Sequence, residues 1–333
     1  MGEIIEGRRR FSDARFEQLR ASLVGAPEIC ADRACVYATG SFGRREASEH
    51  SDIDLFIVSL CDELDEDRIG RSRLSKLDEI LLKADLIRAS RKLSFPEFSQ
   101  DGRFLQLHTS RKLIRSTGDQ YDDAENSFTA RLLLLLESRP LTGNSVHSKI
   151  IDDVIAKYWS EFPRHVDCFM PAYLANDILR YWRTLCLNYE ANTSEEALKH
   201  PAKRKINNYK LKHSRMLTCY SALLVLLHVF VRNGTVTVPD VQKMVYQTPT
   251  QRMEWLATEA ENKDLSEAIQ QLLGLYERFL DVTSQSKEEL ARLFSDDSEA
   301  LKLRNERSEF GDLVYRALYL IGQKDNFYRR LVV

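Results

Sequence analysis

Apolar positions recur along this chain in two different ways. In the first 120 residues, short unbroken apolar runs alternate with helical periodicities. Ala34–Thr39 (Ala-Cys-Val-Tyr-Ala-Thr) ends at Gly40 and predicts a short buried strand; Ile53–Ser59 predicts a second. Residues 11–24 show a loose helical spacing through Phe11, Ala14, Leu19 and Leu23. Leu74, Leu77, Ile80, Leu81 and Ile87 predict a long amphipathic helix over about 65–90, with that set as its inner face. Residues 94–108 read as a hairpin turning at Asp101-Gly102, and a hairpin there makes the sheet mixed.

Beyond about residue 121 the strand signals almost vanish. Helical patterns run through 122–138, 146–161, 171–190, 209–232, 249–260, 263–283, 286–294 and 299–321. Pro239 and Pro249 stand where first helical turns begin. Thr117-Gly118-Asp119-Gln120 marks a break, so the border is expected near Ser116–Tyr121. The expectation is an α+β chain with a catalytic front domain over 1–120 and an all-helical domain over 121–333. Leu217–Val231 is the longest greasy run. It falls short of the roughly 20 residues a membrane span needs, so it reads as a buried helix, with no membrane partner.

Composition narrows the function classes. A chain of 333 residues with 43% hydrophobic and 29% charged residues is ordinary for a globular protein. A net charge of −2 argues against a protein that coats nucleic acid. The charge is uneven, however. From Ala197 to Pro239 there is no acid, but there are Lys199, Lys203, Arg204, Lys205, Lys210, Lys212, Arg215 and Arg232. That is either a phosphate-facing surface or a solvated basic face. The six cysteines form no CxxC pair, and the first ten residues lack the apolar core of a signal peptide. A reducing cytoplasm is the simplest setting.

The stretch that carries chemistry is 36–58. Gly40-Ser41 closes an apolar strand and opens a turn, where free backbone N–H groups and the Ser41 hydroxyl suit a phosphate. Gly43 keeps the turn small, and Arg44 or Arg45 offers a guanidinium to phosphate oxygens. Ser51-Asp52-Ile53-Asp54 follows about ten residues later. On a strand, Asp52 and Asp54 share one face while Ile53 and Leu55 turn to the core. Paired carboxylates repel unless a cation lies between them, and Mg²⁺ is bound by a few carboxylates together with substrate phosphates.

Gly40, Ser41, Asp52 and Asp54 in this arrangement resemble the DNA polymerase β-like nucleotidyltransferase superfamily. The Gly40, Gly43, Arg44, Glu46 pattern is similar to its bacterial uridylyltransferase-like branch. The resemblance implies a metal-dependent enzyme using Mg²⁺ or Mn²⁺ and a nucleoside triphosphate, ATP included. It also implies a third carboxylate on a later strand. Glu97 and Asp101 are the two catalytic candidates, with Asp101 taken beside Asp52 and Asp54 as a metal ligand.

A helical partner domain is a further implication. There, Arg180 and Arg183 are neighbours on one helix, Lys210 and Ser214 are four apart, and Lys212 and Arg215 three apart. Arg180, Arg183, Lys210, Lys212 and Ser214 are therefore expected to bind phosphates. The acceptor stays open. A nucleotide or oligonucleotide end is favoured, as in stand-alone anti-phage-defence enzymes such as cyclic-oligonucleotide synthases and the Hailong-system nucleotidyltransferase, which this architecture resembles. An oligonucleotide and an effector protein of a defence operon are then its further partners. A protein side chain, a tRNA or a small-molecule hydroxyl is the alternative, and a catalytically inactive nucleotide-binding module is a different class.

Overall fold

The computed structural model describes residues 2–62, 71–98, 105–115, 126–191, 201–323 and 325–332. Two compact units emerge: Gly7–Lys157, and Met1–Glu6 with Tyr158–Val333. The expected border at Ser116–Tyr121 lies outside the described residues, and the first unit runs on to Lys157. The reason is a strand that the sequence reading missed. Arg139–Thr142 (β4) joins the sheet, and so holds the segment after residue 121 to the first unit.

That unit is built on a four-stranded sheet of order β3-β2-β1-β4. Ala34–Thr39 (β1) is the central strand and is buried along its whole length. It pairs antiparallel with Asp54–Ser59 (β2), in a register that sets Thr39 opposite Asp54, and antiparallel with β4 on its other edge. Leu107–Thr109 (β3) runs parallel to β2. The sheet is thus mixed, as expected, but through this parallel pair. Among the described residues of 94–108, β3 has no hairpin partner. Phe95–Phe98 has no regular structure, the Asp101-Gly102 turn lies outside the described residues, and β3 follows a helical crossover.

Helices Glu3–Ser22 (α1), Ala26–Cys30 (α2) and Lys76–Lys92 (α4) belong to this α/β layer, with the short turn Gly40–Gly43 (α3) between β1 and β2. The inner face of α4 agrees with the expected one only in part: Leu74, just before the helix, and Ile87 pack on the core. Leu77, Ile80 and Leu81 are 72%, 61% and 58% exposed, while Leu82, Leu86 and Ala89 join the core. An acid accounts for the shift. Asp85 is buried on the inner face, where its carboxylate accepts hydrogen bonds from the N–H groups of Val24, Gly25 and Ala26 at 2.9–3.0 Å. It thereby satisfies the orphan donors at the start of α2. A pattern read on apolar residues alone puts this charged position outside.

The helical unit is centred on one long helical path, Pro201–Asn233. By length and composition it is apolar enough to cross a membrane, but 67% of its most apolar stretch is buried within the protein. It is the core helix of the unit. Leu211–Arg215 is a π-helical turn within that path. The later helices Pro249–Glu259, Lys263–Val282, Lys287–Ser295 and Asp297–Gly322 fall close to the expected ranges, and Val238–Val245 adds one that was signalled only by Pro239.

Two buried histidines in the first unit set its acid sensitivity. Burial pushes the imidazole of His147 down to about 4, and burial with repulsion from Lys112 does the same for His108. An unfolded chain titrates these groups near 6.5. Between those values the unfolded state binds more protons, so their contribution is intact above about pH 6.5 and is lost as pH falls toward 4. Thermal melting of the full chain should therefore show a lower Tm at pH 5 than at pH 7, with a shallower drop in the His108→Gln/His147→Gln double variant. An equal drop in both proteins would count against this origin.

Candidate active site

The site is a place where two backbones come unusually close. Gly40 follows directly on β1 with φ 64°, a left-handed conformation that other L-residues adopt at a cost of about 1–2 kcal/mol. A Cβ on Gly40 would lie 2.6 Å from Asp54 Oδ2. The turn therefore touches the first residue of β2, as the Thr39–Asp54 register requires. Gly43 is constrained as tightly, since a Cβ there would stand 2.0 Å from the Glu137 carbonyl oxygen and 2.9 Å from that of Ala38. Both glycines of Gly-Ser-Phe-Gly are steric necessities.

The acid pair has the expected facing. Ile53 and Leu55 are buried at 2% and 1% exposure, Asp52 is exposed and Asp54 half-buried. This in-out alternation leaves both carboxylates on the solvent side of the strand entrance. The half-buried Ser41 hydroxyl has no hydrogen-bond partner among the described residues.

Beneath the turn lies a buried ionic knot that the sequence reading did not assemble. Glu137 Oε1 accepts from the Gly40 N–H at 2.9 Å, and its Oε2 accepts from Arg44 Nη1 at 2.8 Å. Arg44 Nε donates to Glu46 Oε2, also at 2.8 Å. Arg44, Glu46 and Glu137 are 5%, 6% and 3% exposed. Arg44 thus holds the turn in place from below, which corrects its assignment to phosphate. The Gly40 N–H is likewise spent on Glu137, so Gly40 contributes space where a donor was expected. Arg45 is engaged too: it grips Asp13 through two nitrogens, and Arg139 approaches the same carboxylate at 2.9 Å. Burial alone would raise the Asp13 carboxyl, but these two guanidinium groups outweigh it and hold it below the usual range. The Gly-Arg-x-Glu spacing was the available signal for the Arg44–Glu46 pair. Glu137, an acid ending a run of five leucines, carried no local signal.

Glu97, one candidate for the third carboxylate, does not gather with Asp52 and Asp54. Ser94 turns the chain after α4 with φ 55°, Pro96 removes a strand donor, and the Glu97 side chain is 88% exposed, 3.8 Å from Arg91. Asp101 lies outside the described residues. Among the described residues, no group of three or more Asp, Glu, His or Cys side chains gathers to hold a metal. The donors present still suit a hard cation. Two carboxylates sit at the strand entrance, and that of Asp54 packs directly against Gly40.

Residues 27–101 match the family model described as a nucleotidyltransferase domain. The chain carries a nucleotidyltransferase domain. Its superfamily is the polymerase β-like one, and its chemistry is transfer of a nucleoside monophosphate from a nucleoside triphosphate, typically with a divalent metal. The match spans α2, β1, the Gly40 turn, both acids and α4 of this nucleotidyltransferase domain. No curated protein matches the chain.

In the helical unit the expected phosphate residues do not form one set. Ser214 falls in the π-helical turn, and its side chain does not share an exposed face with that of Lys210. Lys210 is exposed, whereas Ser214 is buried and donates its hydroxyl to the Lys210 carbonyl at 2.9 Å. Arg180 stands 3.4 Å from the buried Asp177. Lys212 lies over the ring of Trp182 at 5.1 Å, and Arg183 is exposed.

The ionic knot separates two roles for Arg44. Arg44→Met leaves two buried carboxylates uncompensated and should cost about 3–5 kcal/mol in denaturant unfolding. A surface phosphate ligand would instead raise KM and leave the unfolding midpoint unchanged. Gly40→Ala should both destabilise the fold and disable turnover, because its Cβ collides with Asp54.

Proposed function

We propose that the chain uses this domain to join nucleotides without a template, forming an oligonucleotide or nucleotide signal in anti-phage defence. The observation that carries the catalytic reading is the approach of Gly40 to Asp54, which brings a glycine-serine turn and an acid pair into one small site. Asp52 and Asp54 hold Mg²⁺ or Mn²⁺. When bound, the cation supplies positive charge against the triphosphate and the leaving pyrophosphate. Ser41 offers its hydroxyl to a phosphate oxygen, and the Glu137–Arg44–Glu46 knot keeps the turn in register with the acids.

The choice of acceptor rests on the helical unit. Lys203, Arg204, Lys205 and Lys210 are exposed along one acid-free helix, a charge pattern suited to a phosphodiester product or primer. The six free thiols suit the cytoplasm. An effector protein that reads the product would complete the system.

The test is direct. The purified chain is incubated with each labelled NTP and dNTP, with Mg²⁺ or Mn²⁺, and the products are separated on a denaturing gel. A ladder or a discrete short nucleotide is expected, and Asp52→Asn and Asp54→Asn should each reduce it at least 100-fold while the protein stays folded. Label that ends on protein or tRNA would replace this acceptor class. Full activity in either variant would remove the acid pair from catalysis.

A further inference from the structure

A cavity of about 540 Å³ lies within the helical unit, lined by two helix faces. Helix Pro201–Lys210 contributes Arg204, Lys205, Asn208 and Tyr209; helix Asp297–Gly322 contributes Arg304 and Arg307. Like charges thus face each other across an opening. Among the described residues, the only acid in the lining is Asp297, which is almost fully exposed and 3.5 Å from Lys205. Arg204, Arg304 and Arg307 have no carboxylate partner among the described residues. Burial, together with the neighbouring Arg304 charge, disfavours the protonated form of Arg307. An arrangement of this kind costs electrostatic energy unless an anion occupies it.

Tyr209 and Asn208 border the cavity as well, but the Tyr209 hydroxyl and Asn208 Oδ1 are closed off from it. The cavity itself offers three guanidinium groups and the aromatic surfaces of Tyr189 and Phe294.

We propose that this cavity is a second binding site, for a nucleotide, built from residues of the helical unit alone. The phosphates meet Arg204, Arg304 and Arg307, and the nucleoside lies against the aromatic surfaces of Tyr189 and Phe294. Inorganic phosphate uses only the cationic part. The volume lies in the range of small-molecule sites and exceeds what one phosphate fills. Both a free nucleoside triphosphate and a short oligonucleotide carry this chemistry.

The experiment uses the full-length Asp52→Asn/Asp54→Asn chain in EDTA, so that neither turnover nor a metal-bound substrate contributes. Calorimetric titration with ATP, with a tetra-adenylate and with inorganic phosphate reads the site. At least one nucleotide should bind with a Kd at least tenfold below that of phosphate, and the tighter of the two identifies the source. Arg304→Ala/Arg307→Ala should weaken that binding at least tenfold. Arg204→Gln should weaken it several-fold with Tm unchanged or raised, so the outcome does not hang on one variant's folding. Absence of nucleotide binding, binding no tighter than phosphate, or binding indifferent to both variants would overturn the inference and leave the cavity as a site for water. Because the catalytic acids are already removed, failure here is distinct from failure of the catalytic reading.

Discussion

The structure of the first unit depends on a contact that only glycine permits. At the end of the central strand, Gly40 turns the chain with a positive φ and passes so near Asp54 that a single added carbon would strike the carboxylate. The contact is fixed from two sides. The β1–β2 register sets Thr39 against Asp54, and Glu137 reaches up from the leucine-rich helix to bind the Gly40 N–H. Arg44 and Glu46 close the arrangement below. A buried charged knot is seldom a source of net stability, because desolvation offsets its Coulomb attraction. Its evident effect here is positional: it ties a strand end, a turn and a distant helix to one geometry.

This division of labour explains why nearby polar groups have different fates. Arg44 and Arg45 follow the turn in sequence, yet both are occupied by carboxylates of their own unit. Ser41, Asp52 and Asp54 face outward instead. Chemistry is left to the few groups on the open side, while the covered side is given to holding them still. Catalytic constellations need that rigidity, since small displacements of reacting groups are costly.

Much of this was legible in the sequence. The two strands, the acid pair and its facing follow from alternation of apolar and polar residues across Ile53 to Leu55. Most rear helices also followed from periodicity; the mixed sheet was expected from a hairpin over 94–108, whereas the parallel β2–β3 pair is what makes it mixed. What escaped depended on partners remote in the chain. Glu137 is 97 residues from Gly40, and β4 is a four-residue strand containing a proline. On α4, a buried aspartate that caps α2 sits on the inner face, which an apolar pattern does not select. In the helical unit Ser214 is buried in a π-helical turn and bonds the Lys210 carbonyl, while the Lys210 side chain is exposed.

The central claim is that the acids beside Gly40 form a metal–nucleotide site. Its most direct test is Mn²⁺ binding followed by electron paramagnetic resonance, with and without a non-hydrolysable triphosphate. The account predicts that the analogue strengthens Mn²⁺ binding to the wild-type chain and that Asp54→Asn abolishes this enhancement. An equal enhancement in the variant would contradict it.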